Sequence, residues 1–308
     1  MKQIISDLVD HPQLLLMRQL NSQLLAHPID PSVTIGLQHE IGKQLLPEVS
    51  GRLIIPTAYG FSMTVDLDES HTPSMQGSIE RNLYFLGTYE AGTLDVIRQS
   101  LAAWGDGATF VDVGAHTGLM SLYAAHVGAD KVFAFEPNPE TFALLQENVA
   151  RNNPKCITTF ATALGDARRS VSMETDSQNS GAAHITDASS ASLHDIPVEA
   201  LDQLVQDKAI GSVNLMLMDI EGYEIRALQG AEHTIATQKP DLIIEYDPSD
   251  QDERVLTFLR KHGYRPYVLK HSRHVVGALV PFRKVAAASQ KDNLFCFQPE
   301  RATKLGLV

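Results

Sequence analysis

The sequence predicts an α/β fold: a mostly parallel sheet with helices on both faces, plus an N-terminal helical and β-hairpin extension. Three observations lead there. Short apolar runs rich in Val, Ile, Leu and Met recur after residue 108 and read as buried parallel strands. Stretches with helical spacing separate them, so strand and helix alternate. The runs end at glycines or acidic residues, where an open α/β sheet forms its ligand crevice. The 308-residue chain is 44% hydrophobic and 20% charged, which suits one large or two modest domains.

Residues 1–80 read as the extension and 81–308 as the main domain. Ile4, Leu8, Leu14, Leu15, Leu20, Leu24 and Leu25 have helical spacing, and Pro12 splits them into two short helices. An apolar face packed on the main domain accounts for this pattern; a substrate cap or dimer arm is the functional alternative. Residues 28–60 are punctuated by proline and glycine, with a short helix around Gln38–Leu46. Arg52–Ile55 and Phe61–Asp68 pair across a Pro-Thr-Ala-Tyr-Gly turn, and 69–77 reads as a flexible loop.

The main domain opens with a helix from Leu94 to Trp104, ended by Gly105-Asp-Gly107. Ala108–Val113 is the first core strand, Leu119, Leu122, Tyr123 and Val127 share one helix face, and Lys131–Phe135 is the second strand. A helix over Glu140–Asn152 leads to a third strand, Ile157–Leu164, with a hairpin strand at Ser170–Thr175. Residues 176–195 are small and polar and read as a loop. Then follow a helix at Val198–Asp207, a strand at Val213–Met218 and a helix from Ile225 to Thr237 interrupted near Gly230. Asp241–Glu245 is a strand, Gln251–His262 a helix and Tyr264–Leu269 a strand. Asn293–Gln298 is a last, antiparallel strand.

A net charge of −12 argues against nucleic acid, since phosphate binding needs basic clusters and Arg168-Arg169 is only a pair. Cys156 and Cys296 form neither a disulfide framework nor a metal spacing; both contexts read as strands, so buried free thiols are expected. No apolar run is long enough to span a bilayer, and Asp7 and Asp10 spoil a signal peptide. A cytoplasmic protein acting on a small molecule, with no membrane partner, is expected.

The chemistry concentrates in Asp112-Val-Gly114-Ala-His116-Thr-Gly118 and Glu136. Gly114 and Gly118 allow a tight turn and a close approach of backbone to a ligand. Glu136, at the tip of the next strand, can accept hydrogen bonds from both hydroxyls of a ribose. His116 stands where a dinucleotide fingerprint needs its middle glycine, and no G-K-[ST] follows. The pocket therefore suits a nucleoside without phosphates better than NAD.

With these motifs placed, residues 80–250 resemble the FkbM family of S-adenosylmethionine (SAM)-dependent methyltransferases. The resemblance rests on Gly87-Thr-Tyr-Glu90, Phe110–Gly118, Ala134–Pro139, Ala163-Leu-Gly-Asp166, Val198–Asp202 and Met218-Asp-Ile-Glu-Gly-Tyr-Glu224. The family often has Asn where His116 stands and Lys where Met218 stands. The resemblance implies a class I methyltransferase, Rossmann-like, with seven strands. It implies SAM as cofactor and O-methylation, often of a sugar or secondary-metabolite hydroxyl. It places SAM against Glu90, Asp112, Gly114, His116, Thr117, Gly118, Glu136, Pro137, Asn138, Ala163, Leu164, Asp166 and Asp219. Tyr89 and Glu90 either line that pocket or fix the course of the chain. It calls for no metal, and none is assigned, though Asp219, Glu221, Glu245 and Asp247 form an oxygen-rich set that suits Mg²⁺ or Ca²⁺ as a second use; a homodimer is compatible with it.

Transfer of a methyl group to a hydroxyl needs a base for the leaving proton. Asp219, at the tip of a strand beside the glycine motif, is the first candidate. Glu221 and Glu245 fall on the same rim, and clustered carboxylates raise one another's pKa. Glu221 as a helix cap and Glu245 as an ion-pair partner are equally good readings. His184 is a further candidate base in the polar loop, where a lone histidine is usually just solvated. An NAD-dependent oxidoreductase and a non-catalytic SAM-binding module are the alternatives.

Overall fold

The computed structural model describes residues 4–7, 12–25, 37–38, 40–42, 44, 46, 49, 51–67, 79–174, 184–186, 194–246, 253–271, 273–283 and 292–307. Its strands are β1 (Ile4–Asp7), β2 (Arg52–Pro56), β3 (Ser62–Asp66), β4 (Thr109–Val113), β5 (Lys131–Phe135), β6 (Ile157–Phe160), β7 (Ala163–Leu164), β8 (Arg169–Glu174), β9 (His184–Thr186), β10 (His194–Glu199), β11 (Leu215–Met218), β12 (Asp241–Tyr246), β13 (Arg265–Leu269), β14 (Leu279–Pro281) and β15 (Asp292–Phe297). Its helices are α1 (Pro12–Leu25), α2 (Ile79–Leu86), α3 (Ala91–Trp104), α4 (Leu119–His126), α5 (Pro139–Asn152), α6 (Leu201–Gln206), α7 (Glu224–Gly230), α8 (Glu232–Gln238), α9 (Glu253–Lys261) and α10 (Pro299–Lys304). None of the described helices is long and apolar enough to cross a membrane.

The main sheet runs β14-β13-β15-β12-β11-β4-β5-β6. From β6 to β12 the pairs are parallel, and β15 and β13 are antiparallel to their neighbours. Eight strands stand where seven were expected; the extra one is β14, a three-residue edge strand on β13. The central strands β4, β11 and β12 are buried on both faces, which is why β4 and β11 are apolar throughout apart from Thr109 and Asp112. Val111, Val113, Met216, Met218, Leu242 and Ile244 face one side, packing with Leu204, Leu228, Ile235 and Leu259 of α6 to α9. Phe110, Leu215, Leu217 and Ile243 face the other, packing with Leu94, Ile97, Leu101 and Tyr123 of α3 and α4.

Four expectations are corrected. Pro12 begins a helix instead of dividing one, as proline is tolerated in a first turn, and the segment before it is β1, parallel to β2. Residues 157–164 form two strands, since the chain leaves the main sheet after Phe160 and β7 enters a small sheet ordered β7-β10-β8-β9. Val198 and Glu199 end β10, held by pairing with Ala163 and Leu164, so the helix starts only at Leu201. Within 176–195, residues 184–186 and 194–195 are strand rather than loop. The loop expected at 69–77 lies outside the described residues. Helices α2 and α10 were not expected. Cys296 is buried in β15, whereas Cys156 is only partly buried and precedes β6; both are free thiols.

The segment before residue 87 shares a core with α4. Leu14 and Met17 of α1, Leu53, Ile55, Met63 and Val65 of the β2–β3 hairpin, and Leu83 and Phe85 of α2 pack with Leu119 and Leu122 of α4. Asn148 of α5 adds a polar link. Its Oδ1 accepts from Thr64 N at 2.6 Å, and its Nδ2 donates to Thr64 O at 3.1 Å and Thr117 O at 3.0 Å. One side chain thus ties the hairpin edge to the glycine loop.

At the N-terminal end of β12, fully buried Asp241 accepts from Ser100 Oγ at 2.6 Å, Trp104 Nε1 at 3.0 Å and Arg301 Nη2 at 2.5 Å. The Arg301 guanidinium lies 4.1 Å from the Trp104 ring centroid. Removing one partner strands the other charge without water. Asp241→Asn is expected to cost about 3–5 kcal/mol, measured as a fall in the urea unfolding midpoint.

Candidate functional site

Strand β4 delivers Asp112 and then the glycine loop. Gly114 has φ 87°, and a Cβ there would meet the Asp219 carbonyl oxygen at 2.1 Å. Gly118 has φ 93°, and its Cβ would meet Leu145 Cδ1 at 2.6 Å. Both positions have a left-handed backbone, which favours glycine, and at Gly114 the obstructing atom is a backbone oxygen that cannot turn aside. His116 is also left-handed, with φ 49°.

The loop is tied to β5 through Glu136. One carboxylate oxygen accepts from His116 N at 2.9 Å and the other from Asn138 N at 2.9 Å. Each oxygen keeps a lone pair for a further donor. Burial raises the Glu136 pKa, against the His116 ring and the two backbone N–H groups. Asp112 is fully buried; its Oδ2 accepts from Ser121 Oγ at 2.6 Å, and Oδ1 has no partner among the described residues. Burial, with a contribution from Glu136, pushes its pKa up to about 7. Both ring nitrogens of His116 are buried and without a partner among the described residues.

A cavity opens over this loop, lined by Ile79, Tyr89, Glu90, Gly114, Ala115, His116, Thr117, Leu119, Met120, Leu217, Asp219 and Asn293. Its rim is acidic. Asp219, Glu221 and Glu245 bring carboxylate oxygens within 4.8 Å of one another. Arg273 Nη1 donates to Glu245 at 3.0 Å, and its Nε forms an ion pair with Glu90 at 2.8 Å. Burial raises the Asp219 pKa well above the usual carboxylate range, and Glu245, Glu90 and Glu221 add to this against Arg273. The turn that presents Asp219 is fixed by Glu224, whose Oε1 accepts from Gly222 N at 3.2 Å and Ile220 N at 3.3 Å. Burial pushes Glu224 up to about 7.

A family model, the methyltransferase FkbM domain, matches residues 112–266. The chain belongs to the FkbM methyltransferase family.

Two curated relatives are similar to it. The hexuronic acid methyltransferase AglP of Haloferax volcanii is 29% identical over 153 residues, 50% of this chain and 61% of that protein's length. The methyltransferase sdnD of Sordaria araneosa is 25% identical over 187 residues, 50% of this chain and 72% of its own. A solved FkbM methyltransferase from Methylobacillus flagellatus is 20% identical with a TM-score of 0.45, over 62% of this chain and 44% of that one.

Of the residues singled out from the FkbM motifs, Glu90, Gly114, His116, Thr117 and Asp219 line the cavity. Glu221 and Glu245 stand beside Asp219. Glu221 has φ 50° and precedes Gly222 in the turn; the N-cap of α7 is Tyr223, without a side-chain cap bond, and Glu224 binds the turn's N–H groups. Gly118, Asp112 and Glu136 support the loop from below. Asn138 caps α5, its side chain accepting from Glu140 N at 2.9 Å, and Pro137 joins it to Glu136. Ala163 and Leu164 are buried in β7, and Asp166 pairs with Arg169 at 2.7 Å; none of the three lines the cavity. His184 lies on β9, and its side chain is outside the described residues.

Three contributors escaped the motifs. Arg273 lies between β13 and β14, where a single arginine carries no pattern. Asn293 donates from Nδ2 to Glu90 Oε2 at 2.9 Å, and only strand pairing of β15 with β12 brings it there. Ile79 enters through α2. Glu224 was within a recognised motif but had no role assigned.

Gly114→Ala is expected to lower the thermal midpoint and to separate the ends of β4 and β11, read by calorimetry and amide exchange at Asp219. A carboxyl group with a raised folded-state pKa stabilises the fold below its ordinary value, and that contribution disappears as pH rises through the folded value. Asp112 therefore contributes a loss of stability from about pH 4 to about pH 7. In Asp112→Asn the urea-unfolding free energy should fall less across that window, by up to about 4 kcal/mol.

Proposed function

We propose that the chain is a SAM-dependent methyltransferase that O-methylates a hydroxyl of a sugar or secondary metabolite, with Asp219 as general base. The observation that carries this is one cavity lined by both the glycine loop and Asp219. The residues present suit the cofactor. Gly114 brings bare loop backbone to the cavity wall, and the His116 ring nitrogens are buried donors or acceptors with no partner among the described residues. Glu136 retains a lone pair on each oxygen for the two hydroxyls of a ribose. The name of the Haloferax volcanii relative supports a sugar acceptor.

When bound, SAM supplies a methyl group already activated by its sulfonium. This chain's residues then do three things. Glu136 and the loop backbone hold the nucleoside. Tyr89, Glu90 and Asn293 close the cavity against water. Asp219, desolvated and among other carboxylates, takes the proton of the acceptor hydroxyl; its raised pKa makes it a stronger base than an exposed aspartate. His116 occupies the place of a diphosphate-binding glycine, so no observation favours the NAD alternative. A non-catalytic binding module would have no use for a half-buried Asp219 whose carboxylate accepts no hydrogen bond among the described residues.

Two measurements test this. Calorimetry should detect binding of S-adenosylhomocysteine (SAH), and Glu136→Ala should weaken it about 10- to 100-fold, because charge-assisted hydrogen bonds to the ribose are lost. On a panel of hydroxylated acceptors, Asp219→Asn should lower turnover about 10²- to 10⁴-fold while SAH still binds. Absence of SAH binding at high micromolar concentration would end the proposal.

A further inference from the structure

Arg273 lies on the segment joining β13 to β14, which crosses the start of α3. Its carbonyl oxygen accepts from Gly92 N at 2.9 Å and Thr93 N at 3.2 Å. A Cβ on Gly92 would meet Val275 O at 2.4 Å and Arg273 O at 2.8 Å, so the segment sits directly on that helical turn. His274 packs edge-on to Tyr89, with ring centroids 5.2 Å apart. The guanidinium is thereby placed from two sides.

Its partners divide the acidic rim. Nε pairs with Glu90 Oε1 at 2.8 Å and Nη1 with Glu245 Oε1 at 3.0 Å. The other Glu90 oxygen accepts from Thr93 Oγ1 and Asn293 Nδ2, each at 2.9 Å. Glu90 Oε2 is thus taken by two donors, and Oε1 faces the Arg273 charge as an ion pair with no hydrogen bond among the described residues. Asp219 has no hydrogen bond to its carboxylate among the described residues, and it lines the cavity.

We infer that Arg273 is a positioning residue for methyl transfer: by engaging Glu90 and Glu245 it leaves Asp219, which lines the cavity where Glu221 does not, as the carboxylate facing the acceptor hydroxyl. The inference rests on the methyltransferase reading above. In the transfer step the acceptor O–H proton passes to Asp219 as the new O–CH₃ bond forms and the S–CH₃ bond breaks, leaving a neutral thioether. A rim in which Glu90, Glu245 and Asp219 competed for that proton would hold no defined base. The groups facing Asp219 are Glu90, Glu221, Glu245, Tyr89 and Arg273, with His116 across the same cavity. His274 and Asp292 lie beside Arg273. Opposite charge at this range moves a carboxyl titration by about one pH unit or more.

The test is a ¹³C NMR titration of carboxyl-labelled full-length protein, with the Asp219 resonance assigned by its loss in Asp219→Asn. It needs neither cofactor nor acceptor. Arg273→Gln should move the Asp219 midpoint up by about one pH unit or more, and Arg273→Lys should restore part of the shift. Glu245→Gln should move the midpoint down, which tests the same arrangement should Arg273→Gln not fold. A purely structural arginine would leave the midpoint in place, and an unchanged midpoint in both Gln variants overturns the inference. SAH calorimetry on the wild-type sample separates the two readings: absent binding removes the methyltransferase proposal, whatever the titration shows.

Discussion

The site depends on one close approach. The chain leaving β4 passes so near the end of β11 that a Cβ on Gly114 would lie 2.1 Å from the Asp219 carbonyl oxygen. Asp219 N donates to Val113 O at 3.1 Å, locking the two strand ends side by side. No residue but glycine fits there, since the backbone is also left-handed. The consequence is functional. The loop suited to a nucleoside and the carboxylate suited to proton removal come from neighbouring strands and face one cavity. A rigid sheet, not a flexible loop, sets their separation.

The two ends of β12 show how charge is used differently within one strand. Asp241, at one end, has a full set of donors from Ser100, Trp104 and Arg301, and it closes the sheet against α3 and α10. Glu245, near the other end, shares Arg273 with Glu90 and stands beside Asp219 and Glu221. The first arrangement is neutral. The second has four carboxylates against one guanidinium in a poorly solvated place, which raises the Asp219 pKa and costs stability. Surplus acid at a strand tip is what a proton acceptor needs and what a purely structural pair avoids.

Much of this was legible in the sequence because it was local. Asp112, Gly114, Gly118 and Glu136 stand in one strand–turn–helix–strand unit, and their spacing alone implies a loop faced by a carboxylate. Asp219 followed from the next apolar run. The small sheet was not legible, because β7 and β10 pair across more than thirty intervening residues and each is short. Val198 and Glu199 fit a helical pattern equally well until Ala163 and Leu164 claim them. Arg273 and Asn293 reach the site only through antiparallel pairing near the far edge, which no local spacing encodes. The N-terminal segment was misread for a similar reason: Ile4–Asp7 becomes a strand only because β2 is beside it.

A crystal structure with SAH bound tests the central claim most directly. The account predicts the ribose hydroxyls on Glu136 and the sulfur in the cavity beside Gly114, with Asp219 facing the open space beyond it. SAH seated elsewhere, or Asp219 turned away from the sulfur, would contradict it.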